Sequence, residues 1–382
     1  MNKKISLLIF LCLLLSTYNL KCQVNNLSPN GPDTTSWSVG IFYDQDHSLE
    51  LLGFDKLNED RNYTLGFGIY FQSTGLNNCF LFAPNKWLNH LFNNREKFTS
   101  GQSITQKPFY SFMLAGSGFT PDSLPASTVI FNDRPYASII MLQTSINNPA
   151  YQRYKNYRSN FTMAWLGSIL PGNIQTAIHK AMNNNDTKPP RTPRGWNNQI
   201  SDGGEPTFAY SYTKEMLITR KHLNSVTPEK SKGTELKHGF KYSLGYHTYL
   251  GYDISLRIGW FDANNWNYDT SPLSGVNKNI RKTTYHKPFE FYMVSSVRPV
   301  FMLYNAMLNG QFKKSVHTVN FNYTRHLMFE FDSGIGLAFA LNSNSGIDIK
   351  LKGSGRSPEF KLSGRDARFH YWAGLDIVFS HF

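Results

Sequence analysis

Residues 240–260 read FKYSLGYHTYLGYDISLRIGW, and their period decides the fold class. Phe240, Tyr242, Leu244 and Tyr246 alternate with Lys241, Ser243, Gly245 and His247. After a short turn, Tyr252, Ile254, Leu256, Ile258 and Trp260 alternate with Asp253, Ser255, Arg257 and Gly259. A period of two sends successive side chains to opposite faces of a strand, so each segment has one aromatic face and one polar or glycine face. Stripes of about 9–11 residues match strands tilted across a bilayer, and strands of soluble sandwiches are usually shorter. Val319, Phe321 and Tyr323 form a further stripe, and Ile335, Leu337, Phe339 and Leu341 another. The closing stretch YWAGLDIVFSHF carries Leu375, Ile377 and Phe379 in phase and ends on an aromatic, Phe382, which is out of phase with them.

Composition agrees with that reading. The 382 residues are only 17% charged, against about 25% in typical soluble domains, yet 15% aromatic. Mean hydropathy is nevertheless negative, at −0.40. A polytopic helical membrane protein needs several apolar runs of about 20 residues, and the only long apolar run here is N-terminal. Abundant aromatics also exclude a disordered chain, because they bury enough surface to offset ordering entropy. Aromatics toward lipid and polar groups toward a lumen are the character of an outer-membrane barrel.

Residues 1–22 read as an export signal: Lys3 and Lys4 precede the apolar core ISLLIFLCLLLS, which is too short to span a bilayer. Cys22 has an alternative reading as a lipidated cysteine, which Lys21 just before it disfavours. Cleavage would remove Cys12 and Cys22 and leave Cys79 alone, so no internal disulfide is expected. Losing Lys3, Lys4 and Lys21 takes the formal net charge from +13 to +10. For an exported barrel such charge suits phosphorylated or acidic glycolipids, or equally a scatter of solvated lysines; no nucleic-acid partner is expected.

The remainder, 23–382, reads as one all-β domain: a transmembrane antiparallel β-barrel of about 12 strands, with no internal repeat and no linker. Strands are expected over 36–44, 63–72, 240–247 and 252–261, with Phe240, Tyr242, Ile254 and Leu256 facing lipid. Residues 85–110 and 183–206, rich in Asn, Lys, Pro and Gly, read as long loops. One segment, NIQTAIHKAMNNN (173–185), has helical spacing at Ile174, Ile178, Ala181 and Met182. Gln175 and His179, four apart, share one face of that short helix.

Several blocks carry candidate chemistry: YDQD (43–46), DRNYTLG (60–66), GFTPDSL (118–124), NDRPYAS (132–138), and the pair IQTAIH (174–179) with RGWNNQI (194–200). Singly, each also has a structural reading. The DRNY and DRPY segments suit turns at strand ends, and an isolated histidine is more often packed or solvated than catalytic.

Together, in this order, the blocks resemble the outer-membrane lipid A 3′-O-deacylase family. That family has an acid-Asn-Asp motif on its first strand and D-R-x-Y-T-x-G on its second. A T-P motif, D-R-P-Y-A, and a Q-x-x-x-H helix with a G-W-x-x-Q loop follow. LGYDISLRIGWF (250–261) also looks like a family strand. The resemblance implies hydrolysis of an acyl ester of lipid A, in the bacterial outer membrane, by a monomer assisted by calcium. It implies a catalytic role for His179, with Thr64, Asp46 and Gln45 beside it and Asp46 and Gln45 at the metal. Asp60, Arg61, Tyr63, Asp133, Arg134, Tyr136, Gln175, Trp196 and Gln199 fall in its substrate or structural motifs. Gln45 stands where the family has asparagine, GSILPG (167–172) before the helix is shorter than the family's stretch, and the nearest carboxylate beyond His179 is Asp186.

The chemistry is coherent by itself. A histidine near neutral pKa accepts a proton from water that attacks an ester carbonyl, and the oxyanion needs positive charge or donors. A divalent cation held by oxygen ligands supplies such charge. No G-x-S-x-G elbow suggests a covalent serine route, and no His/Cys spacing suggests zinc. Two other functions fit the same fold: an inactive binding or structural barrel, and a small porin, although useful pores usually need about 16 strands.

Overall fold

The computed structural model describes residues 36–46, 62–93, 108–150, 155–183, 192–222, 232–261, 269–271, 275–277, 289–342, 344–361 and 369–381. Residues 1–22, read above as an export signal, and Asp60, Arg61, Asp186 and Phe382 lie outside the described residues.

Twelve antiparallel strands close into a barrel. The first half comprises β1 (Trp37–Gln45), β2 (Asn62–Ser73), β3 (Phe109–Thr120), β4 (Ala137–Ala150), β5 (Lys155–Leu166) and β6 (Glu205–His222). After β7 (Lys232–Gly245) and β8 (His247–Trp260), a two-stranded ladder, β9 (Asp269–Ser271) with β10 (Gly275–Asn277), stands outside the barrel order. The wall resumes with β11 (Phe289–Asn305), β12 (Leu327–Asn342), β13 (Ser345–Arg356) and β14 (His370–His381). Successive wall strands are neighbours, with β8 pairing β11 past the β9–β10 ladder, and β1 pairs with β14 from Trp37↔His381 to Gln45↔Ala373. Closure removes both sheet edges, which is what lets strands cross a membrane. Both described chain ends therefore lie at one rim. The opposite rim carries the β1–β2, β3–β4, β5–β6, β7–β8, β11–β12 and β13–β14 connections.

The alternation read from sequence is the in/out pattern of the wall. Phe240, Ile254 and Leu256 are exposed outward, and Tyr242 is half-buried on the same face. The stripe stops one residue early. Gly245 has φ +129°, a left-handed geometry that ends β7, and Tyr246 is buried in the turn instead of continuing outward. Tyr246 and His247 thus fall outside β7, correcting the expected strand end. The stripe at Val319, Phe321 and Tyr323 is not a strand either: Phe321–Tyr323 is a 3-10 turn in the β11–β12 connection.

The region 85–110 is not simply a loop. Ala83–Asn93 forms helix α1, with Pro84 in the first turn, where a missing N–H costs nothing. The expected helix around His179 exists as α2 (Ile169–Asn183), but it starts earlier, so GSILPG is its cap and first turn. The Ser168 hydroxyl accepts from the Leu170 amide (3.3 Å) there.

The lumen is filled. Near the rim opposite the termini, Tyr63, Phe119 and Ile139 belong to one buried cluster with Tyr246 and with Ala306 and Met307 of a short helix, α3 (Ala306–Asn309), and Phe42, Met113 and Tyr70 carry that cluster down the wall. Farther along the wall the lumen is ionic. Arg298 bonds to Asp253 (2.7 Å) and Glu330 (2.8 Å), and Glu235 holds Arg220 (2.6 Å), Arg257 (3.1 Å) and Lys237 (3.2 Å). Buried charges are tolerable only when paired in this way.

Candidate active site on the outer wall

Cross-strand register decides which side of the wall the motif residues use. Ile41, Ile69, Leu114 and Leu142 pair in sequence across β1–β4, and the first three are well exposed on the lipid side. Gly118 pairs with Ser138 an even number of residues along the same strands, so both face outward. The Ser138 hydroxyl donates to Gln199 Oε1 (2.7 Å), and the Gln199 amide donates to Asp202 (3.1 Å). The 196–201 segment therefore lies on the outside of the barrel.

Trp196 is its anchor. Its indole lies against Gly118 and Gly172, where a Cβ would meet ring atoms at 3.3 and 2.6 Å. Its ring meets Tyr136 edge-on, centroids 4.9 Å apart. Three of the separated blocks and the first turn of α2 thus converge on one buried indole. Tyr136 donates to the Leu124 carbonyl (3.1 Å), tying NDRPYAS to GFTPDSL.

Helix α2 packs on β3 and β4. Gln175 is 3% exposed and His179 8%, so the helix face they share is turned away from bulk surroundings. Among the described residues no hydrogen-bond partner meets either amide atom of Gln175 or the Trp196 indole N–H. A buried polar atom without a partner costs about 1–3 kcal/mol, so these two donors and one acceptor, on α2 and on the segment packed against its first turn, are atoms whose bonding a ligand or water would complete.

Strand β1 lies two strand spacings from β3, about 10 Å away. At its end Asp46 is 0% exposed. The Tyr43 hydroxyl bonds to the Gln45 amide oxygen. Thr64 occupies a β-bulge between Tyr63 and Leu65 and donates to the Gly118 carbonyl (3.3 Å). Across that bulge Tyr63 turns into the lumen, where its hydroxyl donates to Asp44 (3.2 Å), itself 3.5 Å from the Lys352 ammonium. Tyr63 is a lumen residue and not part of the outer pocket.

Asp133 and Arg134 fasten the rim. Asp133 accepts from the Asp122 amide (2.9 Å) and the Arg134 amide (2.7 Å), and His317 meets its carbonyl at 2.8 Å. The Arg134 guanidinium pairs with Glu359 and lies 4.2 Å over the Phe119 ring. Glu359 also accepts from Arg356 (3.1 Å). Burial pushes the Glu359 carboxyl up, but Arg134, Arg356 and then His370 outweigh it and hold it well below the usual carboxylate range. Sequence reading had no signal for Glu359, which lies 225 residues from its partner.

Among the described residues no three His, Cys, Asp or Glu side chains form a metal-binding group. The side-chain oxygens at the end of β1 suit a hard cation in kind: the fully buried Asp46 carboxylate and the Gln45 amide oxygen, which accepts from the Tyr43 hydroxyl.

Comparison with known proteins gives one family, described as Outer membrane protein LpxR, which matches residues 8–376. The structure is similar to that of LpxR from Salmonella typhimurium, with TM-score 0.63 and 14% identity over 90% of this chain and 99% of that one. The β domain of the Bordetella autotransporter BrkA aligns over 92% of this chain and 100% of its own, with TM-score 0.41 and 7% identity. No curated protein sequence matches.

Proposed function

The chain belongs to the Outer membrane protein LpxR family and lies in the bacterial outer membrane, and from that premise we propose that it hydrolyses an ester-linked acyl chain from lipid A of lipopolysaccharide. One observation carries this reading: Gln175, His179 and Trp196 are buried between α2 and the outer face of the wall, on the side a membrane lipid reaches. A lumen site would favour a water-soluble substrate instead.

In the proposed reaction His179 takes a proton from water as the water oxygen bonds to the ester carbonyl carbon. The Gln175 amide and the Trp196 indole N–H, which have no protein acceptor, are suited to receive the oxyanion. The bond from carbon to the sugar oxygen then breaks, and the imidazolium returns its proton to that leaving oxygen. The products are a free fatty acid and a sugar hydroxyl. Thr64, held at the bulge, shapes the floor beside β3. Asp46 and the Gln45 amide oxygen would hold calcium, which when bound supplies positive charge to the carbonyl.

The test is purified protein in detergent with lipid A and calcium, read by mass spectrometry. Loss of one acyl chain, abolished by chelator and restored by calcium, is expected. Full activity in excess chelator would remove the metal from the proposal and leave the histidine. No turnover under any condition would favour the inactive-barrel reading, for which the Tyr43 hydroxyl already bonded to Gln45 is the relevant observation.

A further inference from the structure

Two structures stand on the outer wall, one at each end of the same strip. Near the site rim, α2 and residues 196–201 cover Gly118 and Ser138. Toward the other rim the wall is covered by Phe82 and α1. Phe82 meets Tyr110 edge-on at 5.2 Å and forms a buried cluster with Cys79, Tyr110 and Ile146. The Asn85 amide donates to the carbonyls of Thr144 (2.9 Å) and Ser159 (3.2 Å), and Phe92 stacks on Tyr210 at 5.5 Å. Helix α1 is inside-out for water: Asn85 and Asn89 are buried against the wall, while Trp87 and Leu91 are 63% and 57% exposed. That arrangement suits hydrocarbon, where polar groups must find protein partners.

Between the two coverings the wall is bare and apolar. Leu114 and Trp165 are exposed there, and Ile140, Leu142 and Met163 are half-buried. Along β4 the two coverings are anchored at Ser138 and Thr144, about 20 Å apart at about 3.4 Å per residue, and Ile140 and Leu142 are the outward residues left between them. This strip opens directly beside Gly118 and Trp196, at the candidate site.

We propose that this strip is the track of the acyl chain being cleaved, and that Phe82 and α1 are the floor met by its methyl end. The inference rests on the lipid A ester reading above. Among the described residues, the exposed Phe240, Leu250 and Ile254 of β7 and β8 lie on strands whose main contacts are with neighbouring strands and not with α1 or α2. A chain too long for the track must bend at the floor, and a shorter one leaves apolar surface uncovered. On a lipid-facing wall that difference is one of van der Waals packing, so a block in mid-track weakens long chains more than short ones.

Two measurements test this. Lipid A carrying a terminal diazirine on its ester-linked chain is photolysed with the protein in micelles, and the labelled residues are mapped. Label concentrated on residues 80–87, 112–114 and 140–146 is expected; label spread evenly around the barrel overturns the track. Separately, Leu142→Trp and Ile254→Trp are compared on tetradecanoyl and octanoyl esters of the same sugar. Leu142→Trp should lower the long-to-short ratio of kcat/KM by about tenfold, and Ile254→Trp should leave the ratio at its wild-type value. Equal ratios in an active protein overturn the track. Concentrated label on a protein that turns over neither ester upholds the track as a binding surface and rejects the hydrolase reading. If Leu142→Trp loses the heat-resistant folded band on gels, Leu142→Phe takes its place.

Discussion

His179 and Gln175 occupy successive turns of one helix face, and both are buried. A general base contributes about 10²–10⁴-fold, so His179→Gln should reduce lipid A deacylation by that factor while the barrel keeps its folded mobility on gels. Wild-type turnover in that variant would remove the histidine from the mechanism. Arg134 and Glu359 act at the same scale but on stability. The Glu359 carboxyl is held below its unfolded value of about 4.3, so its contribution is complete above that pH and is lost as the pH falls through the lower folded-state value. Acidification below about pH 4 should therefore loosen the rim, seen as faster proteolysis of the 121–136 and 357–361 connections. Glu359→Gln takes from the buried Arg134 its carboxylate partner, while Arg356 keeps Glu330 (2.7 Å), and should cost about 3–5 kcal/mol. It should also flatten the acid dependence. An unchanged pH profile in that variant would show that another carboxylate sets it.

At the scale of elements, the contact between α2 and Trp196 holds the outer pocket together. Gly172 lies in the first turn of α2, and a methyl there would sit 2.6 Å from the indole. Alanine is the better helix former by about 1 kcal/mol, so on propensity alone Gly172→Ala should stabilise the helix. The indole contact predicts otherwise. The substitution should push α2 from the wall and lower deacylation while thermal stability of the barrel changes little. Unchanged activity would mean the indole moves aside without consequence. The helices also show where local sequence was readable. The spacing of Ile174, Ile178, Ala181 and Met182 disclosed α2, whereas α1 was hidden by its Asn-rich composition. Its Asn85/Asn89 face reads as solvent-exposed until the wall strands are known to supply acceptors.

For the whole molecule, closure at twelve strands leaves an interior that side chains can fill, and here they do. Tyr246 and the α3 residues Ala306 and Met307 enter the lumen at the site rim, above the ion pairs of Arg298 and Glu235. The purified protein should therefore form no stable channel in a planar bilayer. Steady single-channel steps from the wild-type chain would return the porin reading.

What the sequence determined by itself was periodic or contiguous. Alternation in residues 240–260 specifies strands with one lipid face, because a period of two is local geometry, and the ordered motif blocks point to a lipid A-type site. What only the tertiary structure decided was sidedness and partnership. A motif such as DRPYAS contains both an inward fastener, Arg134 on Glu359, and an outward contact, Ser138 on Gln199, and alternation cannot say which face meets the substrate. That depends on where α2 and the 196–201 segment come to rest. Their resting place is set by the small Gly118 and Gly172 surfaces that admit Trp196, brought together by barrel closure across separations no local pattern encodes.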